Sequence, residues 1–268
     1  MLAGYIDESE DKTKTLFTLS CLTGDYGAWF WIEQEWLKVL DAKNVELAAQ
    51  GRKTISRYHA SDYASRLGEF KGWTVDEQLP FVKDLLAIFE RYRLDVASYT
   101  ISLAEMQDVL PETKASPYGF AYLILLWYLM DEIMGHTFTR EASEAVHLFH
   151  DRSDFDGVYL DAFNLRINDP LNFALKQHFF SITPMGWENC IPLQPADLMA
   201  FENMKDSESN LLTSRDRRKS LVNILDRGKM GGSLRGITLD LLLELRQLID
   251  SFDNERRAAL WKAARIST

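Results

Sequence analysis

The chain has 268 residues, of which 46% are hydrophobic and 26% charged, and its formal net charge is −10. This composition excludes a disordered or fibrous protein, and two cysteines are too few for a disulfide scaffold or a cysteine-based zinc site. The longest apolar run, residues 120–130, is shorter than the roughly 20 residues of a membrane-spanning helix. The first residues also lack the basic start of a signal peptide, so we expect a soluble, cytoplasmic protein that does not contact membranes.

The first half of the sequence predicts a β-hairpin followed by alternating helices and strands. Strands are indicated by apolar and β-branched runs, and helices by apolar side chains at helical spacing. Thr74 and Glu77 have the spacing of a capping box at the start of the second helix. The predicted strands cover 2–7, 15–22, 56–60 and 94–101, and the predicted helices cover 28–40 and 74–91.

The second half continues the alternation and ends in helices. The predicted elements are a strongly apolar helix over 117–134, strands over 146–151 and 178–183, a helix over 193–204, and two or three further helices. This order favours an α/β fold with a mixed β-sheet flanked by helices, because a tight hairpin makes its first two strands antiparallel. No linker-like or repetitive stretch interrupts the chain. We therefore expect one compact domain with a helical C-terminal extension.

Three acidic residues are placed where chemistry is expected. Asp7 and Asp151 end predicted strands, and Asp197 lies in the first turns of a late helix. Ligands bind at strand ends in open α/β sheets, and three carboxylates meeting there would repel one another unless a cation neutralised them. Mg²⁺ and similar hard cations prefer such oxygen ligands. Spacing alone leaves the alternative open that these are ordinary turn or capping residues.

Six fragments resemble, in order, those of the domain-of-unknown-function 3800 family. They are YIDES (5–9), YHASD (58–62), GEFKGW (68–73), HDRSDF (150–155), PLQPADLMAFE (192–202) and RDRRKSL (215–221). The first and fifth are the most specific, and the likeness spans about residues 3–225. The resemblance implies a ribonuclease H-like fold over 1–225, with 226–268 as a helical extension packed on it. It also implies a metal-dependent, nuclease-like site, although the family has no generally established activity.

The resemblance assigns the three acids individually. Asp7 matches the acid of the first strand, Asp151 the mid-chain acid at a strand end, and Asp197 the acid of a Q-x-A-D helix. The family usually has glycine after its DES motif, where this chain has Glu10 and therefore an additional negative charge. Ribonuclease H enzymes also place a glutamate on a helix after the third strand, a role that Glu69 could fill.

Four further residues are candidates with an alternative beside each. Glu8 is a candidate catalytic residue, but in a regular strand its side chain leaves by the face opposite Asp7 and would then have a hydrogen-bonding role. His59, with Asp62, could carry a proton or contact substrate, since imidazole changes charge near neutral pH; it could equally be structural. Gln194 either contacts substrate or orients the helix of Asp197.

The most concrete hypothesis is a Mg²⁺- or Mn²⁺-dependent phosphodiester hydrolase, in which Asp7, Asp151 and Asp197 hold the metal. Its substrate would be nucleic acid, DNA or RNA, and Arg217 and Arg218 would contribute a basic strip, unless that strip is a solvated helix start. The acidic body of the chain favours an alternative: a non-catalytic binding protein on the same fold. A third hypothesis is a small-substrate phosphohydrolase. The sequence leaves the oligomeric state open.

Overall fold

The computed structural model describes residues 1–139, 144–213 and 231–266. In this part of the chain the protein is an α/β structure with one mixed six-stranded sheet flanked by helices. The strands are β1 (Leu2–Glu10), β2 (Leu16–Asp25), β3 (Asp95–Ser102), β4 (Val146–Asp151), β5 (Phe179–Met185) and β6 (Gly231–Gly236). The helices are α1 (Tyr26–Ala49), α2 (Ala60–Ser65), α3 (Val75–Phe89), α4 (Leu103–Val109), α5 (Pro117–Thr139), α6 (Asp156–Asn168), α7 (Phe173–His178), α8 (Leu193–Thr213), α9 (Leu239–Ser251) and α10 (Asn254–Ala263).

The sheet has the strand order β5-β4-β1-β2-β3-β6. β2 runs antiparallel to both of its neighbours, β1 and β3. The remaining pairs, β1 with β4, β4 with β5 and β3 with β6, are parallel. Five strands therefore run in one direction and only β2 opposes them, which confirms the predicted mixed sheet.

The turn between β1 and β2 is built around Asp11. Its Oδ1 accepts hydrogen bonds from the backbone N–H groups of Thr15 and Leu16, each at 2.7 Å. Burial alone would raise the pKa of Asp11, but these bonds and those from the Thr13 and Thr15 hydroxyls lower it to about 2. The carboxylate is thus committed to the hairpin turn.

Alternating side chains of β1 face two hydrophobic layers. Leu2 and Ile6 pack in the layer that contains α5, whereas Ala3 and Tyr5 pack in the layer that contains α1, α3 and α8. By the same alternation, Asp7 follows Tyr5 toward α8. α5 is the most apolar helix, yet no helix of the described residues is both long enough and apolar enough to cross a membrane.

Most predicted elements are present, but the strand predicted over 56–60 is wrong. This segment has irregular backbone, and α2 begins at Ala60. Side chains instead of a strand ladder satisfy its polar groups: Asn44 donates to the Ile55 carbonyl and accepts from the Ile55 N–H, both at 2.8 Å. Glu69 accepts from the N–H and hydroxyl of Ser56. Tyr58 and Ala60 are buried while Ser56 is exposed, so the segment alternates in burial as a strand would, but it forms a loop.

The segment beyond residue 225 is not purely helical, contrary to prediction. β6 joins the sheet as an edge strand through parallel pairing with β3. Its sequence, GGSLRG, lacks strand-forming residues, and backbone pairing with a distant strand places it there. Leu242 of α9 and Trp261 of α10 are buried in the layer that contains α5, so these helices share the core of the sheet. The predicted boundary at 225/226 lies outside the described residues.

Gly232→Ala is expected to weaken the attachment of β6. Gly232 has φ +127°, and a Cβ built on it would lie 1.8 Å from the Val96 carbonyl oxygen. Backbone strain and this overlap together should lower the free energy of unfolding by about 1–3 kcal/mol. Chemical denaturation checks the loss. Gly236→Ala is the matched control, because nothing lies within 4 Å of a Cβ there. Equal stability of the two variants would contradict the close approach of Gly232 to Val96.

Candidate active site

Asp7 and Asp151 lie where β1 and β4 separate. The parallel pairing of these strands runs from Leu2 opposite Val146 to Ile6 opposite His150. Beyond this point β1 continues along β2 alone. Asp7 and Asp151 are the next residues on the two strands, so both carboxylates stand at the mouth of a crevice at the carboxyl ends of parallel strands, the usual ligand position in such sheets.

The beginning of α8 brings Asp197 and Gln194 to the same crevice. Asp197 Oδ2 accepts a hydrogen bond from the Ala60 N–H at 2.7 Å. Gln194 Oε1 accepts two, from the Tyr58 N–H at 2.8 Å and from Trp36 Nε1 at 3.0 Å. These contacts fasten the irregular segment before α2 to α8. They fulfil the orienting role that the sequence analysis considered for Gln194.

The acids converge on one small cavity of about 190 Å³. The residues that line it are Asp7, Glu8, Arg57, Tyr58, His59, Asp151, Trp187, Leu193, Gln194 and Asp197. The structure thus brings together six residues that the sequence singled out as candidates: the acids of β1, β4 and α8, together with Glu8, His59 and Gln194. Chain segments far apart in sequence build this single site.

The carboxylates of the cavity hold protons more strongly than ordinary acids do. Burial, followed by the charges of Asp197 and Glu8, raises the pKa of Asp7 well above its usual value. Burial also raises the pKa of Asp197 to about 6, against the opposing effects of the Ala60 N–H, His59 and Arg57. The pKa of Asp151 is raised by burial as well. Mutual repulsion shows that these groups are electrostatically coupled, and a bound cation would relieve it.

The raised pKa values of Asp197 and Glu8 predict a loss of stability as pH rises. In the folded protein their pKa values are about 6 and about 7, against ordinary values of 3.8 and 4.5. Between these limits the folded state binds more protons than the unfolded chain, so the free energy of unfolding falls with rising pH. Thermal denaturation in the presence of a metal chelator measures this loss of stability. A melting temperature that rises with pH between the ordinary and the raised pKa values would contradict the prediction.

Glu8 points away from Asp7 toward α5. Its pKa is raised by burial to about 7, and a hydrogen bond with the Tyr122 hydroxyl opposes the rise. Its Oε2 is buried and has no hydrogen-bond partner among the described residues. Glu8 therefore has the hydrogen-bonding role that the strand alternation predicts, through its contact with Tyr122. Its Oε2 remains available to a ligand at the edge of the cavity.

Arg57 and Trp187 are cavity residues that sequence reasoning missed. The Arg57 guanidinium lies 4.3 Å from the centroid of the Trp187 ring, a cation–π contact. Its positive charge lowers the pKa of both Asp151 and Asp197. The one available signal was the position of Arg57 directly before the YHASD fragment. Trp187 had none, because its partner is distant in sequence.

His59 lies at the rim of the cavity, and Asp62 lies behind it. His59 Nδ1 is 3.1 Å from Asp62 Oδ2, while the other nitrogen, Nε2, is 3.5 Å from the Ser61 hydroxyl. Asp62 does not line the cavity, so the structure places it as a partner of His59. Glu69 is also outside the cavity, since its carboxylate binds Ser56. Arg217 and Arg218 lie outside the described residues.

The carboxylate oxygens of the cavity are the type of ligand that a hard divalent cation prefers, but they do not form a complete three-ligand metal site. In the described ranges no three His, Cys, Asp or Glu side chains are placed so that they could hold a metal ion together. Mg²⁺ commonly takes only one or two carboxylates and completes its shell with water and substrate phosphate. Asp7 and Asp197, which line the same cavity, fit that smaller requirement, and the charge of Asp197 raises the pKa of Asp7.

Comparison with models of known protein families, with curated proteins and with solved structures finds no match. The family resemblance of the six fragments therefore stays a prediction. Function has to be argued from the cavity itself, that is, from the buried carboxylates, Arg57, His59 and the amide of Gln194.

Proposed function

We propose that this protein is a divalent-metal-dependent phosphodiester hydrolase. The observation that carries the proposal is the convergence of Asp7, Asp151 and Asp197 on one cavity, with pKa values raised by burial and, at Asp7, by neighbouring charge. Burying several carboxylates together is unfavourable without a compensating cation. Among the described residues, Arg57 is the one permanent cation in the lining of this cavity, against the carboxylates of Asp7, Glu8, Asp151 and Asp197.

The sheet supports the same proposal. Without β6, the strand order is β5-β4-β1-β2-β3, and only β2 opposes the other strands. This is the order expected of a ribonuclease H-like core. The acids at the ends of β1 and β4 lie at the carboxyl ends of parallel strands, where ligands bind in open α/β sheets, and this supports their assignment as metal ligands.

Each side chain of the cavity has a role that follows from its position. Asp7 and Asp197 would hold Mg²⁺ or Mn²⁺, with Asp151 beside them; when bound, such an ion lowers the pKa of a bound water and stabilises charge on phosphate oxygens. The Arg57 guanidinium, steadied by Trp187, donates to a phosphate oxygen, for which its forked geometry is suited. His59, at the rim, would act as a general acid and donate a proton to the leaving oxygen as the P–O bond breaks.

Gln194 supplies a further donor. Its Oε1 is occupied by Tyr58 and Trp36, so the orientation of the amide is fixed. Its Nε2 is buried and has no hydrogen-bond partner among the described residues. Because an unpaired buried N–H group is costly, we assign Nε2 to a phosphate oxygen of the substrate, the second of the two roles that the sequence left open.

Hydrolysis of a small phosphodiester, bis(p-nitrophenyl) phosphate, tests the proposal. Wild type is expected to hydrolyse it with Mn²⁺ and not with a chelator, and Asp7→Asn should lose that activity. Asp41→Asn is the matched control, since Asp41 is exposed on α1 and does not line the cavity. Metal-independent hydrolysis, or equal activity of Asp7→Asn and wild type, would contradict it.

A non-catalytic binding protein is the second candidate. The observation that favours it is the absence, among the described residues, of a ready three-ligand metal site. The net charge of −10 also disfavours approach of a polyanion. Mn²⁺ binding without hydrolysis of either a small diester or an oligonucleotide would decide for this candidate. Hydrolysis of mononucleotides without polymer cleavage would instead indicate a small-substrate phosphohydrolase.

A further inference from the structure

A second, larger cavity opens beside the carboxylate cavity. Its volume is about 590 Å³, and we call it the hairpin groove because the turn between β1 and β2 forms one wall. The start of α5 forms the other wall. Glu8, His59 and Asp197 line both cavities. A ligand with one group among the carboxylates would therefore extend into the hairpin groove.

The sizes of the two cavities suit different parts of one substrate. The carboxylate cavity of about 190 Å³ is smaller than the roughly 300–1,000 Å³ of sites that enclose drug-sized molecules. It can take a phosphate group with its water, but not a nucleoside as well. The hairpin groove, at about 590 Å³, is large enough for one.

Aromatic rings form the floor of the hairpin groove. Tyr118 and Phe155 are half-buried, and their ring centroids are 6.3 Å apart. Phe155 in turn stacks on Tyr122, at 4.5 Å. The Tyr118 hydroxyl donates to Glu10 at 2.8 Å, and its ring also packs against Phe17, with centroids 5.7 Å apart. Rigid, partly exposed rings are the surfaces on which unpaired bases stack.

The two acids of the hairpin turn, Glu10 and Asp11, bind groups of the protein itself, whereas Lys12 is available to a ligand. Asp11 is used by the hairpin turn, and Glu10 accepts from Tyr118 and lies 3.5 Å from Lys14. Lys12 is exposed at the tip and has no ion-pair partner within the part of the chain that the structure describes. It is placed to meet a phosphate that follows the base.

We propose that the hairpin groove binds an unpaired nucleotide of a single-stranded nucleic acid, next to the phosphodiester held in the carboxylate cavity. The base lies against Tyr118 and Phe155, and Lys12 meets the next phosphate. The proposal rests on the proposed function, because the shared carboxylates define where the cleaved bond lies. Bases within a duplex are stacked on each other and do not reach such rings, so single strands are favoured.

Fluorescence anisotropy with a labelled single-stranded oligonucleotide tests the groove separately from catalysis. The parent is the Asp7→Asn, Asp197→Asn variant without divalent metal, so neither cleavage nor ion binding contributes. Tyr118→Ala and Lys12→Glu are each expected to weaken binding about tenfold, in the range of one base stack or one phosphate contact. Tyr118→Phe, which keeps the ring, should retain it. A duplex of the same sequence should bind more weakly than the single strand.

Matched controls are Phe30→Ala and Lys38→Glu, because both residues are exposed on α1 and neither lines the groove. Three results would overturn the proposal that the groove binds an unpaired nucleotide: unchanged binding by Tyr118→Ala, equal losses of affinity in the controls, or equal affinity for duplex and single strand. Failure of the proposed function has a different result: wild type would not hydrolyse bis(p-nitrophenyl) phosphate with Mn²⁺, whatever the oligonucleotide binding.

Discussion

The double substitution Asp7→Asn, Asp197→Asn is expected to stabilise the metal-free protein at neutral pH. Burial raises the pKa of both acids, to about 6 in the case of Asp197, so ionising them in the folded state is unfavourable. A neutral amide removes that cost and can still accept the Ala60 N–H that Asp197 now accepts. We expect a gain of roughly 2 kcal/mol, or about 4–8 °C in melting temperature.

Thermal denaturation in a chelator measures this gain, and pH supplies an internal control. Below the ordinary carboxyl pKa the wild-type acids are protonated and therefore as neutral as the amides of the variant, so the advantage of the double variant should vanish there. Asp41→Asn, at an exposed position on α1, should leave the melting temperature unchanged. A double variant that melts below wild type at neutral pH would mean that the two acids contribute favourable structural interactions and do not form a strained ligand site.

Replacing Arg57 with alanine is expected to lower the rate of diester hydrolysis by roughly 10²–10³, as loss of a donor to a developing charge does in other enzymes. The guanidinium contacts the Trp187 ring at 4.3 Å and carries a permanent positive charge in the cavity lining. Arg57→Lys should recover only part of the rate, because lysine keeps the charge but not the forked pair of donors.

The pH–rate profile distinguishes this role from a merely structural one. The Arg57 charge lowers the pKa of Asp151 and Asp197, so its removal should move the acid limb of the profile to higher pH. Arg57→Lys should leave that limb near its wild-type position. Arg93→Ala is the control, since Arg93 is exposed and does not line the cavity. A rate loss without any shift of the limb would argue against Arg57 acting on these carboxylates.

Local sequence patterns were sufficient for the elements that carry the site. The strand over 146–151 matches β4, and the capping box of Thr74 and Glu77 is present at the start of α3. Period-two alternation along β1 also places Leu2 and Ile6 in one hydrophobic layer and Ala3 and Tyr5 in the other. These features succeed because they depend on neighbours a few residues away.

Features that depend on distant partners could not be read in the same way. The segment before α2 is predicted as a strand, but its polar groups bind Asn44, Glu69 and α8 instead of a neighbouring strand. β6 has no strand-like composition and exists through pairing with β3. Arg57 acquires significance only through Trp187 and the two acids beside it. Tertiary contacts determine all three.

Calorimetric titration with Mn²⁺ tests the central claim most directly, because it needs no substrate. We expect wild type to bind Mn²⁺ and the Asp7→Asn, Asp197→Asn variant to show no binding. Affinity for wild type should fall as pH is lowered through about 6, where Asp197 becomes protonated. Equal binding by both proteins would place the metal on other residues. Absence of binding by wild type would contradict a preformed cation site in the carboxylate cavity.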